Sequence, residues 1–203
     1  MYPQTVAAYT RVLKEAKETF LRKTGNYGAS WLVFRLSSLT DQIFIKARRI
    51  RRLEEMTDRP AVPEGPHEEY QGILNYAVMA LMRLWQPTAL PAPAWDNPAS
   101  CAGLPPATLS ALYDQVAERL RALMERKNHD YGEAWRGMRL SSITDHILVR
   151  VFRLKHLEDH PEQSDEIDRA EIYADIANYA VFALIRLAEE GPTTTCQPGE
   201  DVL

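Results

Sequence analysis

The chain has 203 residues, of which 45% are hydrophobic, 26% charged and 9% aromatic, and its formal net charge is −4. This composition is typical of a soluble globular protein and excludes collagen-like, disulfide-scaffold and fully disordered chains. No apolar run approaches the roughly 18 residues of a membrane-spanning helix, and the N-terminus lacks a signal-peptide pattern. We therefore expect a cytoplasmic protein with no membrane partner.

The charge is divided unevenly between the two halves of the chain. Residues 1–100 carry a net charge of +3, and residues 101–203 carry −7. The acidic total argues against nucleic acid as a partner. Cys101 and Cys196 lie far from any Cys or His at ligand spacing, so we assign them no role.

The sequence contains a tandem duplication. Residues 23–55 are identical to residues 127–159 at 14 of 33 positions, and residues 68–84 are identical to residues 171–187 at 11 of 17. Six of the 13 prolines lie between the copies, which predicts a linker because proline lacks the N–H that helices need. The predicted units are a first repeat (1–86), a linker (87–106), a second repeat (107–190) and a tail (191–203).

Each repeat is predicted to contain three helices. Apolar residues at helical spacing predict the first helix at 5–23 and 109–127, and the Asn, Asp and Gly residues of 128–132 are expected to end it. The second helix is expected near 38–56 and 142–159, because Ser38 and Ser142 each precede an Asp by three residues, as in a capping box. The third, at 68–85 and 168–189, is apolar on most sides and is expected at the centre. Without strand-like alternation, the prediction is an all-α protein, two three-helix repeats packed as a pseudo-symmetric bundle.

The third helix of the second repeat suggests a metal site. Glu171, Asp175 and Asn178 follow the spacing i, i+4, i+7 and share one face. Asp145, at the start of the second helix, adds a third carboxylate. Such oxygen ligands suit Mg²⁺ or Mn²⁺, which would clamp phosphates or activate water. The first repeat has Gly72 in place of Asp175, so we predict a degenerate site there.

Each of these residues also has a structural explanation. Asp145 could complete the capping box, Glu171 could interact with its helix dipole, and Asp175 could pair with an arginine of the second helix. Asn178 lies among apolar neighbours and needs hydrogen-bond partners, which a buried polar network or a ligand would provide.

Basic residues follow one stripe of the second helix in both repeats. Lys46 and Arg49 recur as Arg150 and Arg153, and such side chains bind phosphate oxygens. The alternative is a solvated face or salt bridges to the third helix. We assign the same phosphate-binding role to Lys127 and Arg139.

Aromatic residues lie beside the turn that follows the first helix. Tyr131 and Trp135 could stack on a nucleobase, or they could fill the space between helix ends. Asp130 and His129 precede them and could transfer protons.

Three segments together resemble the nucleotide modification associated domain family, first class: 127–135, 139–145 and 175–180. The resemblance covers both repeats and implies an association with nucleotide or modified-base metabolism. The three-helix units are more distantly similar to MazG-type nucleoside triphosphate pyrophosphohydrolases, whose acids appear as Glu-x-x-Glu on one helix and Glu-x-x-Asp on the next. Here the third helix has Glu171-x-x-x-Asp175, and the second helix has no Glu-x-x-Glu.

The leading hypothesis is Mg²⁺-dependent binding of a nucleoside phosphate in the second repeat. Asp145, Glu171 and Asp175 would hold the metal and a metal-activated water would attack a phosphoryl group. The alternative is a non-catalytic nucleotide sensor or interaction module with a buried polar network. Nucleic-acid binding through residues 46–52 is ranked lowest, and a homodimer is left open.

Overall fold

The computed structural model describes residues 2–58, 60–90, 104–163 and 166–191, and at 27, 163 and 166–168 it describes the backbone alone. Cys101 and Cys196 lie outside these residues, as do 91–103 of the linker. Over the described ranges the chain forms α-helices and short 3-10 turns but no strand, which confirms the all-α prediction. The helices are α1 (Pro3–Tyr27), α2 (Leu36–Glu55), α3 (Pro66–Trp85), α4 (Pro106–Tyr131), α5 (Leu140–Asp159) and α6 (Glu166–Glu190).

The first helix of each repeat is longer than predicted. In α4 the helix continues through residues 128–131 and ends at Gly132, whose left-handed backbone (φ 60°) terminates it. At its other end α4 starts at Pro106, a residue assigned to the linker, because proline is well suited to the first helical position.

The predicted capping boxes at Ser38 and Ser142 are wrong. Helices α2 and α5 begin two residues earlier, at Leu36 and Leu140, and neither has a side-chain cap. One half of a capping box occurs instead at α3, where the Glu68 carboxylate accepts a hydrogen bond of 2.9 Å from the backbone N–H of Gly65.

The third helices form the centre of the molecule, as predicted. Helices α3 and α6 make the most extensive contact, and α2 packs on α5 and α1 on α4 around the same pseudo-two-fold axis. Helix α1 contacts α6 of the other repeat more than it contacts α3 of its own, and α4 likewise favours α3 over α6. The two repeats therefore share one hydrophobic core, which buries residues of all six helices.

An arginine near the end of each third helix holds the turn that precedes the second helix. Arg186 donates to the carbonyl oxygens of Arg136 (2.8 Å) and Met138 (2.6 Å). Arg83 makes the same two bonds, to Leu32 and Phe34. These bonds fix the 3-10 turns Ser30–Val33 and Ala134–Gly137, which carry the two tryptophans of the repeated motif.

Candidate functional site

Asp145 lies at the contact between the repeats and not beside Glu171 and Asp175. Its carboxylate is 3.4 Å from Nη1 of Arg51 in α2, and its side chain is 58% exposed. The equivalent acid, Asp41, pairs with Lys155 in α5. The repeated Thr-Asp motif therefore joins α2 to α5 in both directions.

Asp175 forms ion pairs with two cations of its own repeat. Its oxygens accept hydrogen bonds from Nζ of Lys127 and, at 3.0 Å, from Nε of Arg150, and its side chain is 25% exposed. The Arg150 guanidinium also lies 4.6 Å from the centre of the Tyr179 ring, on which His146 stacks. The alternative interpretation of Asp175, as the partner of a second-helix arginine, matches this geometry.

Glu171 is exposed and lines a cavity of about 430 Å³ with Lys127 and Asp175. In the part of the chain that is described, no three His, Cys, Asp or Glu side chains come together as a metal site. The predicted set of Asp145, Glu171 and Asp175 is therefore not assembled, because Asp145 faces α2 and Asp175 is held by two cations. These residues do not fit a preformed Mg²⁺ centre.

The other predicted binding residues are spread over different surroundings. Asp130 and Tyr131 are exposed at the end of α4, and a carboxylate oxygen of Asp130 lies 3.0 Å from Nδ1 of the neighbouring His129. Arg139 and Arg153 are exposed on the surface of the second repeat.

Trp135 and Asn178 are buried in the second repeat. Trp135 stacks on Phe182 with ring centres 4.4 Å apart, as expected if the aromatic fills the space between helix ends. Asn178 accepts a hydrogen bond of 2.6 Å from Tyr9 of the first repeat, while its Nδ2 has no partner among the described residues.

A larger cleft opens in the first repeat, where the sequence predicted a degenerate site. Its volume is about 880 Å³, and it lies between the end of α1, the turn before α2, and the facing sides of α2 and α3. Four cations and four aromatic residues line it: Arg22, Lys23, Lys46, Arg49, Phe20, Trp31, Phe34 and Tyr76.

Part of the lining of this cleft is charged. Glu69, with a side chain only 5% exposed, accepts hydrogen bonds from Nζ of Lys46 (3.0 Å) and Nη1 of Arg49 (2.6 Å). Gly72 provides the room for this arrangement, because a Cβ there would lie 2.5 Å from Cε of Lys46. Lys23 also lines the cleft, and no carboxylate among the described residues pairs with it.

The cleft also has an aromatic lining. Trp31 is 6% exposed, and its Nε1 has no hydrogen-bond partner in the described residues. Burial, followed by the Glu69 charge, raises the pKa of Tyr76, so its hydroxyl stays protonated and can donate a hydrogen bond. Phe34 and Met79 also belong to the lining. One cleft thus offers both cations and aromatic rings.

The sequence analysis did not predict this cleft, because Gly72 in place of the acid of the second repeat was interpreted as the loss of a site. A glycine inside an apolar helix, opposite a lysine of the neighbouring helix, was the available signal. It indicates close approach of another group, which here is the Lys46 side chain.

Comparison with protein families gives one family model, which matches two segments of the chain. The family model described as nucleotide modification associated domain 1 matches residues 23–84 and 127–187, which together are more than half of the chain. Searches of curated proteins and of solved structures found no match. None of the helices in the described ranges is both long and apolar enough to span a bilayer.

Proposed function

The chain belongs to the nucleotide modification associated domain 1 family, and we propose that it binds a nucleoside phosphate in the cleft of the first repeat. The observation that carries this proposal is that one cleft of about 880 Å³ is lined by both cations and aromatic residues. A nucleoside phosphate combines the complementary groups, a planar base and anionic oxygens.

The cations of the cleft would hold the phosphates. Lys46 and Arg49 are kept in position by Glu69, so little side-chain entropy is lost when a ligand engages their remaining donors. Lys23 adds a third positive charge from α1. The base would lie against Trp31 and Tyr76.

The carboxylates of the cleft already have partners. Glu69 and Glu64 pair with Arg49, and Glu68 caps α3 through Gly65. In this proposal Mg²⁺ is therefore a counter-ion of the bound phosphates and not an ion held by three protein carboxylates.

Titration calorimetry with a panel of nucleoside triphosphates, with and without Mg²⁺, tests the proposal. We expect binding at one site, and a loss of at least about tenfold in affinity for Lys46→Ala, since a charge-assisted hydrogen bond contributes about 1.5–3 kcal/mol. Arg48→Ala is the matched control, because Arg48 lies on the same helix but faces the Phe44 ring.

Two results would overturn the proposal: no heat with any nucleotide, or equal affinity in Lys46→Ala and wild type. Pyrophosphate released in the same samples would identify a pyrophosphohydrolase. Binding without release would identify a nucleotide sensor.

A further inference from the structure

Apolar side chains are exposed together on the outer surface of α2 and α5, on the side of these helices that faces away from α3 and α6. Ile45, Val149 and Phe152 are each more than half exposed. Beside them runs a groove of about 590 Å³, whose apolar lining is formed by Phe44, Leu148 and Phe152. We call these five residues the α2–α5 surface. An apolar surface of this kind, with charged residues around it, usually marks a contact with another molecule.

The ends of the α2–α5 surface carry opposite charges. The two helices are antiparallel, and three contacts fix their register: Asp41 with Lys155, Phe44 with Phe152, and Arg51 with Asp145. Each end of the surface therefore has one acid and one base, on different helices. Both acids are more than half exposed, so their charges are also accessible to a second molecule.

This arrangement of charges is self-complementary. A second copy of the chain, turned by 180° about an axis parallel to the two helices, places its α2 on α5 of the first copy at the same level. Three pairs are then formed between the copies, each of them twice: Asp41 with Lys155, Ile45 with Phe152, and Arg52 with Asp145. An apolar centre is thus flanked by opposite charges at both ends.

The other face-to-face arrangement lacks this match. Rotation about an axis that runs across the helices would place α2 on α2 and α5 on α5. Arg48 would then lie beside its own copy, and Asp41 would lie beside Glu55. Like charges in contact are unfavourable, so the charges select one orientation of the second copy.

We propose that the α2–α5 surface is the interface of a homodimer, in which α2 of each copy packs on α5 of the other. Lys46 and Arg49 point to the other side of α2, where they contact Glu69 of α3. The cleft of the first repeat therefore stays accessible in the dimer. This inference goes beyond the proposed function and does not depend on it.

Sedimentation velocity of the full chain, in the absence of nucleotide, tests the interface. We expect a dimer that forms within the range from about 1 to 100 μM. Phe152→Glu is expected to weaken self-association at least about a hundredfold, because it places a charge at the centre of the interface. Val62→Glu is the matched control, because Val62 is also an exposed apolar residue but lies between α2 and α3. Circular dichroism verifies that both variants are folded.

Two charge reversals test the orientation of the copies. Asp41→Lys and Lys155→Glu are each expected to weaken self-association at least about tenfold, because each places like charges opposite one another in the dimer. An equimolar mixture of the two variants should dimerise again, since a mixed dimer has opposite charges at both contacts. The ion pair within each chain stays broken in the mixture, so its loss cannot produce this recovery.

Three outcomes would overturn the proposal. A wild-type chain that stays monomeric would indicate a different partner for the α2–α5 surface. A dimer that Phe152→Glu leaves as intact as Val62→Glu does would place the interface elsewhere. A mixture that associates no more strongly than its two components would contradict the pairing of α2 with α5.

Discussion

The hydroxyl of Tyr9 in the first repeat donates a buried hydrogen bond of 2.6 Å to Oδ1 of Asn178 in the second. The reciprocal bond, from Tyr113 to Asn75, is 2.9 Å long. Burial raises the pKa of both tyrosines far above the ordinary value, so both remain donors at any physiological pH. The third helices are thus each fixed by the first helix of the other repeat.

Replacing either tyrosine by phenylalanine is expected to destabilise the fold by about 1–3 kcal/mol, because an amide oxygen is left buried without a donor. Tyr9→Phe should cost more than Tyr113→Phe. Asn75 keeps a hydrogen bond of 3.1 Å to the carbonyl of Ala16, whereas Nδ2 of Asn178 has no partner in the part of the chain that the structure describes. Urea unfolding measures both differences, and a larger loss for Tyr113→Phe would contradict this order.

Lys23→Ala is expected to weaken nucleotide binding about tenfold or more while leaving the unfolding free energy within about 0.5 kcal/mol of wild type. Lys23 lines the cleft and pairs with no described carboxylate, so its removal breaks no ion pair. Calorimetry and thermal unfolding measure the two effects. Lys14→Ala, an exposed lysine on the same helix and outside the cleft lining, should change neither.

Gly72→Ala is expected to weaken nucleotide binding without unfolding the protein. The new Cβ would lie 2.5 Å from Cε and 2.7 Å from Cδ of Lys46, and this flexible side chain must move away from Glu69. The gain in helix propensity, about 1 kcal/mol, opposes the loss of that pair. Gly25→Ala in α1 meets nothing within 4 Å and serves as the control. Equal affinities in the two variants would show that the position of Lys46 is irrelevant.

Asp145→Asn is expected to leave nucleotide binding unchanged in the presence and absence of Mg²⁺. The carboxylate pairs with Arg51 across the repeat contact and is more than half exposed, so its loss should cost less than about 1 kcal/mol of stability. Calorimetry with Mg²⁺ makes the comparison. Loss of Mg²⁺-dependent binding in this variant would return Asp145 to the metal site that the sequence predicted.

Deprotonation of Glu158 is expected to make the fold less stable as the pH rises above the ordinary pKa of a glutamate. Burial raises its pKa, while hydrogen bonds from Thr40 and Tyr173 act in the opposite direction. A raised pKa in the folded state means that the folded protein binds more protons than the unfolded chain, so the stabilisation is complete at low pH and is lost on deprotonation. Glu158→Gln should therefore gain stability relative to wild type between about pH 4 and 7. Urea unfolding across this range checks the trend, and the exposed Glu18→Gln should show no such gain.

The fold was predictable from sequence because the patterns that indicate its helices are local and occur in both repeats. Apolar spacing and the 104-residue duplication predicted six helices and the central position of the third pair. The predicted helix ends were less accurate. Helix α2 begins at Leu36 and not near Ser38, and Asp41 pairs with Lys155 of the other repeat instead of forming the expected cap with Ser38.

The candidate site was predictable only in its residue types. Helical spacing correctly placed Glu171, Asp175 and Asn178 on one helix, but it could not show whether Asp175 was available, because Lys127 and Arg150 belong to two other helices. The same limit applies to Asp145, whose partner Arg51 lies in the other repeat.

By itself the sequence determined the all-α architecture, the duplication and the family, all of which depend on residue order along the chain. Only the tertiary structure decided which side chains are available and which repeat has the larger cleft. An acid of one helix is occupied when cations of other helices reach it, and a glycine leaves room for a lysine of the neighbouring helix. Both outcomes depend on packing between distant segments. From the sequence, Gly72 was interpreted as the loss of a metal ligand, but in the structure it lines the cleft of the first repeat.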